Sequence, residues 1–149
     1  MTSTARLNAQ PEAADNEPLV RQDMTGNVVA IVADADLLVA SRIMAARRVR
    51  HLPVMEGPRC LGLLLEIDVL QALALADNPL VRPPLLAGEL YRTAPVVRPD
   101  DHRSTAARQM RATGIDAALV CEGEAVVGIL TATDLIRSLA SEAGTDPTD

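Results

Sequence analysis

The chemistry-bearing side chains of this chain fall into two groups. The first is Thr131-Ala132-Thr133-Asp134, placed between an apolar run and an apolar, helix-like stretch. A carboxylate offers two acceptor oxygens, which suits a vicinal diol, and a helix N-terminus attracts anions. The same Thr-x-x-Asp spacing is also a capping pattern, with Thr131 accepting from first-turn amides and Asp134 favoured by the helix dipole. Spacing alone leaves both readings open. Asp68 holds the matching place in the N-terminal half, with Leu65 where Thr131 would fall. The second group is basic: Arg47, Arg48, Arg50 and His51. Arginine has the fork geometry for a phosphate. For Arg47 and Arg48 the simpler reading is a solvated helix end complementing the dipole. For Arg50 and His51, just ahead of a strand, the phosphate reading stands level with a structural one.

Other chemistry is thinly represented. His51 and His102 share no metal-ligand spacing with Cys60 or Cys121, and no metal site is expected. There is no glycine-rich phosphate loop and no nucleophile motif, so an enzyme is not expected. The two cysteines read as buried, inert thiols rather than a disulfide framework.

The elements that must position these residues occur twice. Val20 to Ala74 laid over Leu86 to Ala140, an offset of 66 residues, gives 13 identities in 55 positions. Asp34 falls on Asp100, Ala40 on Ala106, Met44 on Met110, Val54 on Val120, Gly57 on Gly123, Gly62 on Gly128 and Asp68 on Asp134. Two copies of one supersecondary unit imply a pseudo-twofold molecule with a cleft between its halves.

Within the first copy (20–78), Val28 to Val32 reads as a strand, and Asp34 and Asp36 introduce a helix ending at Arg47 and Arg48. Leu52 to Met55 and Leu61 to Leu65 read as a hairpin around Gly57, and Ile67 to Ala76 as a second helix stopped by Asp77-Asn78-Pro79. The second copy (86–143) repeats the plan. Pro95 to Arg98 is a strand, and Arg103 to Ala112 a helix closed by Gly114. Ala117 to Cys121 and Ala125 to Leu130 form a hairpin, and Thr133 to Ala140 the last helix. Residues 79–85, with Pro79, Pro83 and Pro84, read as a stiff linker. Residues 1–19 and 144–149 read as disordered tails. Each copy would leave one sheet face uncovered, so the two must pack on each other.

Composition narrows the function classes. Apolar residues make up 48% of the 149, enough for a core, but there is one Tyr and no Phe or Trp. A base-stacking platform for single-stranded nucleic acid is absent. All 14 basic residues are Arg and the net charge is −6, with no basic stripe for a phosphate backbone, so no nucleic-acid partner is expected. No apolar run has the ~20 residues of a membrane span and no signal peptide is evident, so a cytoplasmic protein is expected. The lack of Lys beside abundant Ala and Arg suggests a bacterial source.

Asp23-Met24-Thr25, Arg50-His51-Leu52-Pro53-Val54 and Gly62 through Asp68 resemble a CBS (cystathionine β-synthase-type) domain. Gly114-Ile115-Asp116 and Gly128-Ile129-Leu130-Thr131-Ala132-Thr133-Asp134 resemble a second one. Together they are similar to a free-standing tandem pair, or Bateman module. The resemblance implies an α/β (α+β) fold of two βαββα repeats packed as a pseudo-twofold pair. It also implies a regulatory ligand, AMP, ADP, ATP or S-adenosylmethionine, in the cleft, with no cofactor required.

In that family an Asp after the last strand accepts from ribose hydroxyls, a Ser or Thr lies three residues before it, and basic residues meet the phosphates. Carried over by position, this assigns Thr131, Thr133 and Asp134 in the second repeat, Asp68 in the first, and Arg50 and His51 to phosphate. Leu65 stands where Ser or Thr is usual, Leu119 where the first repeat has Pro53, and Ala117 where it has His51. That leaves one site or none. The resemblance further implies a homodimer through the helices carrying Val69, Leu70, Leu73, Leu135, Ile136 and Leu139, acting on a protein target not named by the sequence. The alternative is a ligand-free interaction scaffold.

Overall fold

A computed structural model describes residues 16–76 and 84–143. The stop at Asp77-Asn78-Pro79, most of the linker, residues 1–15 and the C-terminal tail lie outside the described residues. In chain order the elements are α1 (Val20–Asp23), β1 (Ile31–Val32), α2 (Leu37–Arg47), β2 (His51–Glu56), β3 (Arg59–Leu65) and α3 (Glu66–Leu75). There follow α4 (Ala87–Leu90), β4 (Val96–Val97), α5 (Arg103–Thr113), β5 (Ala117–Glu122), β6 (Ala125–Thr131) and α6 (Ala132–Ala143). The fold is mixed α+β, with two three-stranded sheets ordered β1-β2-β3 and β4-β5-β6.

Local chemistry accounts for the elements. Asp36 caps α2, its carboxylate accepting from the Leu38 amide at 2.8 Å. Gly114 ends α5 in the left-handed region at φ 73°, and Gly57 and Gly123, both at φ 60°, turn the two hairpins. The hairpins match in register, His51 opposite Leu65 and Ala117 opposite Thr131. They also share a bulge at equivalent positions, between Val54 and Met55 and between Val120 and Cys121. β1 and β4 are two residues long, shorter than the sequence suggests, because only Ile31–Val32 and Val96–Val97 pair with β2 and β5.

The sequence copies are not the spatial halves. Each sheet is completed by the head of the other copy. α1 packs on the second sheet, where Val20 and Met24 join Val97, Ala106, Met110, Val120 and Leu130. Backbone bonds fasten it there: Val20 N to Asp101 O at 2.8 Å, Thr25 N to Ile129 O at 2.9 Å and Ile129 N to Thr25 O at 3.0 Å. In mirror fashion, Ala87, Leu85 and Tyr91 join Ile31, Leu52 and Leu64. Ala87 N donates to Ala35 O at 2.9 Å, and Leu63 and Arg92 exchange bonds at 2.9 and 2.8 Å.

The end of the expected N-terminal tail shares in this exchange. Glu17 accepts from the Ser104 amide and hydroxyl at 2.8 and 2.9 Å, tying residues 17–19 to the start of α5. The division into residues 20–78 and 86–143 therefore describes copies of sequence, not units of packing.

Glycine makes these exchanges possible. A Cβ at Gly62 would overlap the Arg92 carbonyl and lie 2.8 Å from the Tyr91 ring. At Gly128 it would meet Met24 Sδ at 2.5 Å and Thr25 O at 3.1 Å. A third core joins the two halves: Leu63, Leu65, Ile115, Ala117 and Leu119, with Cys60 and Cys121 packed beside it. Full burial of Leu63 contributes about 1.5–3 kcal/mol. This core covers the sheet face that one copy alone would expose.

Candidate functional site

α6 begins where β6 ends, and its first turn is closed by a reciprocal cap. The Thr131 amide donates to Asp134 Oδ2 at 2.9 Å, and the Asp134 amide donates to Thr131 Oγ1 at 3.1 Å. The capping reading of this motif is thus realised. It occupies one carboxylate oxygen; the other lies 3.5 Å from Arg137 Nη1, one turn along the helix.

This cap forms one wall of a cleft of about 270 Å³. β6 contributes Ile129 and Thr131, and α6 contributes Thr133, Asp134 and Arg137. The facing wall comes from the other copy. Thr25, Asn27 and Val29 lie on the segment that leaves exchanged α1, Arg48, Val49 and Arg50 on the turn between α2 and β2, and His51 at the start of β2. The exchange of α1 is what carries Thr25 to Ile129 and closes this wall. Of the residues expected from the sequence, Thr131, Thr133, Asp134, Arg50 and His51 meet here.

Asp68 does not join them. Its carboxylate receives Arg92 in a bidentate pair, Nε at 2.7 Å and Nη2 at 2.6 Å, and its side chain is 12% exposed. Arg92 occupies the place of Gly26 in the first copy, so no counterpart of this pair exists at Asp134. Leu65, where Thr131 has a hydroxyl, is buried in the inter-repeat core. The pseudo-twofold therefore holds for the backbone and fails for the side chains of the two clefts.

His51 bridges the copies. Its Nε2 lies 2.6 Å from Asp116 Oδ1, and the imidazole is 9% exposed. Burial pushes the Asp116 carboxyl up, but the hydrogen bond and charge of His51, aided by Arg50, outweigh it and hold the group below its ordinary range.

Arg48 lines the cleft, although the sequence reading places it at a solvated helix end. It caps α2 in the left-handed conformation at φ 56°, ψ 44°, the only such residue other than glycine among those described. A non-glycine residue there costs of order 1 kcal/mol. The signal that could have found it is the alignment itself: Arg48 stands where the second copy has Gly114, at φ 73°.

On its other side Asp134 borders a wider groove lined by Gln22, Asp23, Arg137, Ser138 and Glu142, and Arg103 donates to the last two. The two thiols are half-buried rather than fully so. Burial raises both, and Cys60 raises Cys121 further. Among the described residues no cluster of His, Cys, Asp and Glu could hold a metal ion, and no helix is long and apolar enough to cross a membrane.

Comparison with known proteins agrees with this architecture. Residues 20–75 and 87–141 each match the CBS domain family. A protein of Methanocaldococcus jannaschii, named uncharacterized protein MJ1225, is 29% identical over 131 residues, 87% of this chain; the chain spans 45% of that relative's length. Among solved structures, the CBS domain pair of protein MJ0100, in complex with 5′-methylthioadenosine and S-adenosylmethionine, superposes with a TM-score of 0.75 at 19% identity, over 85% of this chain and 98% of that one. The hexameric CBS-CP12 protein from bloom-forming cyanobacteria gives 0.70 at 25% identity, over 81% and 67%. A hemolysin-like protein containing a CBS domain, from Oenococcus oeni, gives 0.69 at 16% identity, over 87% and 95%. With both copies matched and both sheets superposing on such pairs, this chain belongs to the CBS domain family and is a tandem CBS pair.

Proposed function

We propose that this CBS pair is a non-catalytic regulatory module that binds one adenosine-type ligand in the cleft between its copies. One observation carries the reading: Asp134, in the capped first turn of α6, converges with Arg48, Arg50 and His51 on a single cleft whose apolar lining includes Ile129, Val29 and Val49. An apolar lining accepts a base, a carboxylate accepts the two hydroxyls of a ribose, and guanidinium groups meet phosphates. The MJ0100 pair in complex with two adenosine derivatives supports the same ligand class. The candidates are AMP, ADP, ATP and S-adenosylmethionine. Asp68 is a poor second site because Arg92 already fills it, so one ligand per chain is the proposed stoichiometry.

Signalling would pass to a protein partner through the helices. Ile67 and Leu70 on α3, and Ile136 and Leu139 on α6, are 49–67% exposed. Val69, grouped with them on sequence, faces the core instead. These exposed residues suit a homodimer. Light scattering tests it, and a monomer mass at micromolar concentration would remove it. Their exposure also favours the second reading, a ligand-free scaffold acting through the same faces.

A thermal-shift panel separates the two readings. At a hundredfold excess over the dissociation constant, a ligand that binds only the folded state stabilises it by about 2.7 kcal/mol. A shift for AMP, ADP, ATP or S-adenosylmethionine supports the sensor; none at millimolar concentration leaves the scaffold.

A further inference from the structure

We infer that Cys60 and Cys121 form a site of reversible thiol oxidation, in which an intramolecular disulfide staples the two copies together across their shared core. The chain has no other cysteine, and each copy supplies one.

Strand geometry brings both side chains to the same interface. Side chains alternate between the two faces of a strand. On β5, Ala117 and Leu119 belong to the core that joins the copies, so Cys121 falls on the same face and packs against that core. On β3, Leu63 and Leu65 belong to it too, and simple alternation would send Leu61 there and Cys60 away. The bulge prevents this. Val54 pairs with Gly62 and Met55 with Cys60, which leaves Leu61 as the extra residue. Leu61 accordingly packs against the core of the first sheet, and Cys60 joins Cys121 against the inter-copy core. The two thiols also act on each other, since charge on Cys60 helps push Cys121 up. Both are half-buried, open enough to meet a small reagent.

The pairing occurs once. The repeat carries Cys60 onto Val126 and Cys121 onto Met55, so the equivalent places hold two apolar side chains. Packing there is met without sulfhydryls, and the thiols add a chemistry that the core does not require. They lie at the turn end of the two hairpins. The opposite end of the same strands, where His51 pairs with Leu65 and Ala117 with Thr131, borders the clefts. A disulfide would thus fix the hairpins on each other without covering a cleft.

Oxidation is a thiol–disulfide exchange with a small-molecule disulfide. One thiolate attacks a sulfur of the oxidant, forming a mixed disulfide and releasing the other half as a thiolate. The second protein thiolate attacks the protein sulfur of that intermediate, closing the Cys60–Cys121 bond and releasing the remaining half. The protein gives up two electrons and two protons, and the oxidant becomes two thiols. Burial holds both cysteines above their ordinary values, so the exchange is slow at neutral pH.

The test incubates the full chain to completion with oxidised glutathione at about pH 8.5, where more thiolate is present. Mass spectrometry of a non-reducing digest then reads the product. The expected product is a single chain lighter by two hydrogens, with a peptide bearing Cys60 joined to one bearing Cys121. Its melting temperature should rise by at least about 5 °C, because the bond closes a long loop of the unfolded chain, and dithiothreitol should reverse the rise. The double variant Cys60→Val with Cys121→Met takes the residues of the equivalent places, and its melting should ignore the oxidant.

Two thiols that stay titratable, glutathione adducts that never resolve, or a disulfide found only between chains would each overturn the proposal. So would a Cys60–Cys121 bond that lowers the melting temperature, because it would then strain the packing of the copies rather than staple it.

Discussion

His51 of the first copy and Asp116 of the second meet at 2.6 Å, Nε2 to Oδ1, at the wall of the cleft. The pair has no symmetric twin. The pseudo-twofold carries His51 onto Ala117 and Asp116 onto Arg50, so the contact forms once. It ties the turn that holds Arg48 and Arg50 to the start of β5, whose first residue, Ala117, pairs with Thr131. A ligand anion drawn to His51 and Arg50 would compete with Asp116 for the same charges.

That pair makes stability depend on acid. The Asp116 carboxyl is depressed in the folded state, so its stabilisation is present above the unfolded value, near 3.8, and is lost as pH falls through the lower folded value. Asp116 is 62% exposed, and solvent screening holds the contribution below about 1 kcal/mol. Asp116→Asn should therefore cost a few tenths to about 1 kcal/mol at neutral pH by urea denaturation. The gap should close as the pH falls through the lowered folded value of Asp116, because both side chains are then neutral. A gap that persists in acid would mean the pair is not its source.

Asp134 has two tasks that substitutions can separate. Asp134→Ala removes the reciprocal cap of α6 and should cost about 0.5–2 kcal/mol. Asp134→Asn keeps an acceptor for the Thr131 amide but loses the second acceptor oxygen for a diol. It should retain most of the stability and lose affinity for adenosine. Full affinity in Asp134→Asn, read by calorimetry, would mean the residue is a cap and nothing more.

The two exchange glycines should not be equally sensitive. At Gly62 the obstacles are the Arg92 backbone and the Tyr91 ring, neither of which can retreat without breaking the Leu63–Arg92 bonds. Gly62→Ala should cost about 2–4 kcal/mol. At Gly128 the nearest atom is the end of the flexible Met24 side chain, and the same change should cost about 1 kcal/mol. Chemical denaturation of both variants checks the order; a reversed order would contradict the exchanged packing.

Stoichiometry tests the asymmetry of the clefts. Arg92→Ala removes the bidentate partner of the nearly buried Asp68 carboxylate and should lower the midpoint of chemical denaturation. It frees Asp68 but leaves Leu65 in the core without a hydroxyl, and binding should stay at one per chain by titration. Two ligands in the single variant would show that Arg92 alone closes the second cleft.

Much of this was present in the linear order of residues. The 66-residue repeat, the hairpins around Gly57 and Gly123, the caps at Asp36 and Gly114, and the Thr131–Asp134 motif all rest on contacts within a few residues. Such contacts are written in spacing and turn chemistry. Of the residues that meet in the cleft, Thr131, Thr133, Asp134, Arg50 and His51 were readable too; Asn27, Val29, Arg137 and Arg48 were not, and the place of Arg48 depends on a left-handed turn that only the comparison with Gly114 hints at.

What the tertiary structure decided is which surfaces face one another. α1 and α4 are four residues each, too short to leave a periodic pattern, and they join the sheet of the opposite copy. That exchange brings Thr25 to Ile129 to build one cleft, and Arg92 to Leu63, from where its side chain pairs with Asp68. Two copies of one sequence plan thus give two nearly identical sheets. They give clefts with different side chains because the deciding contacts span distant parts of the chain, where no local signal records them.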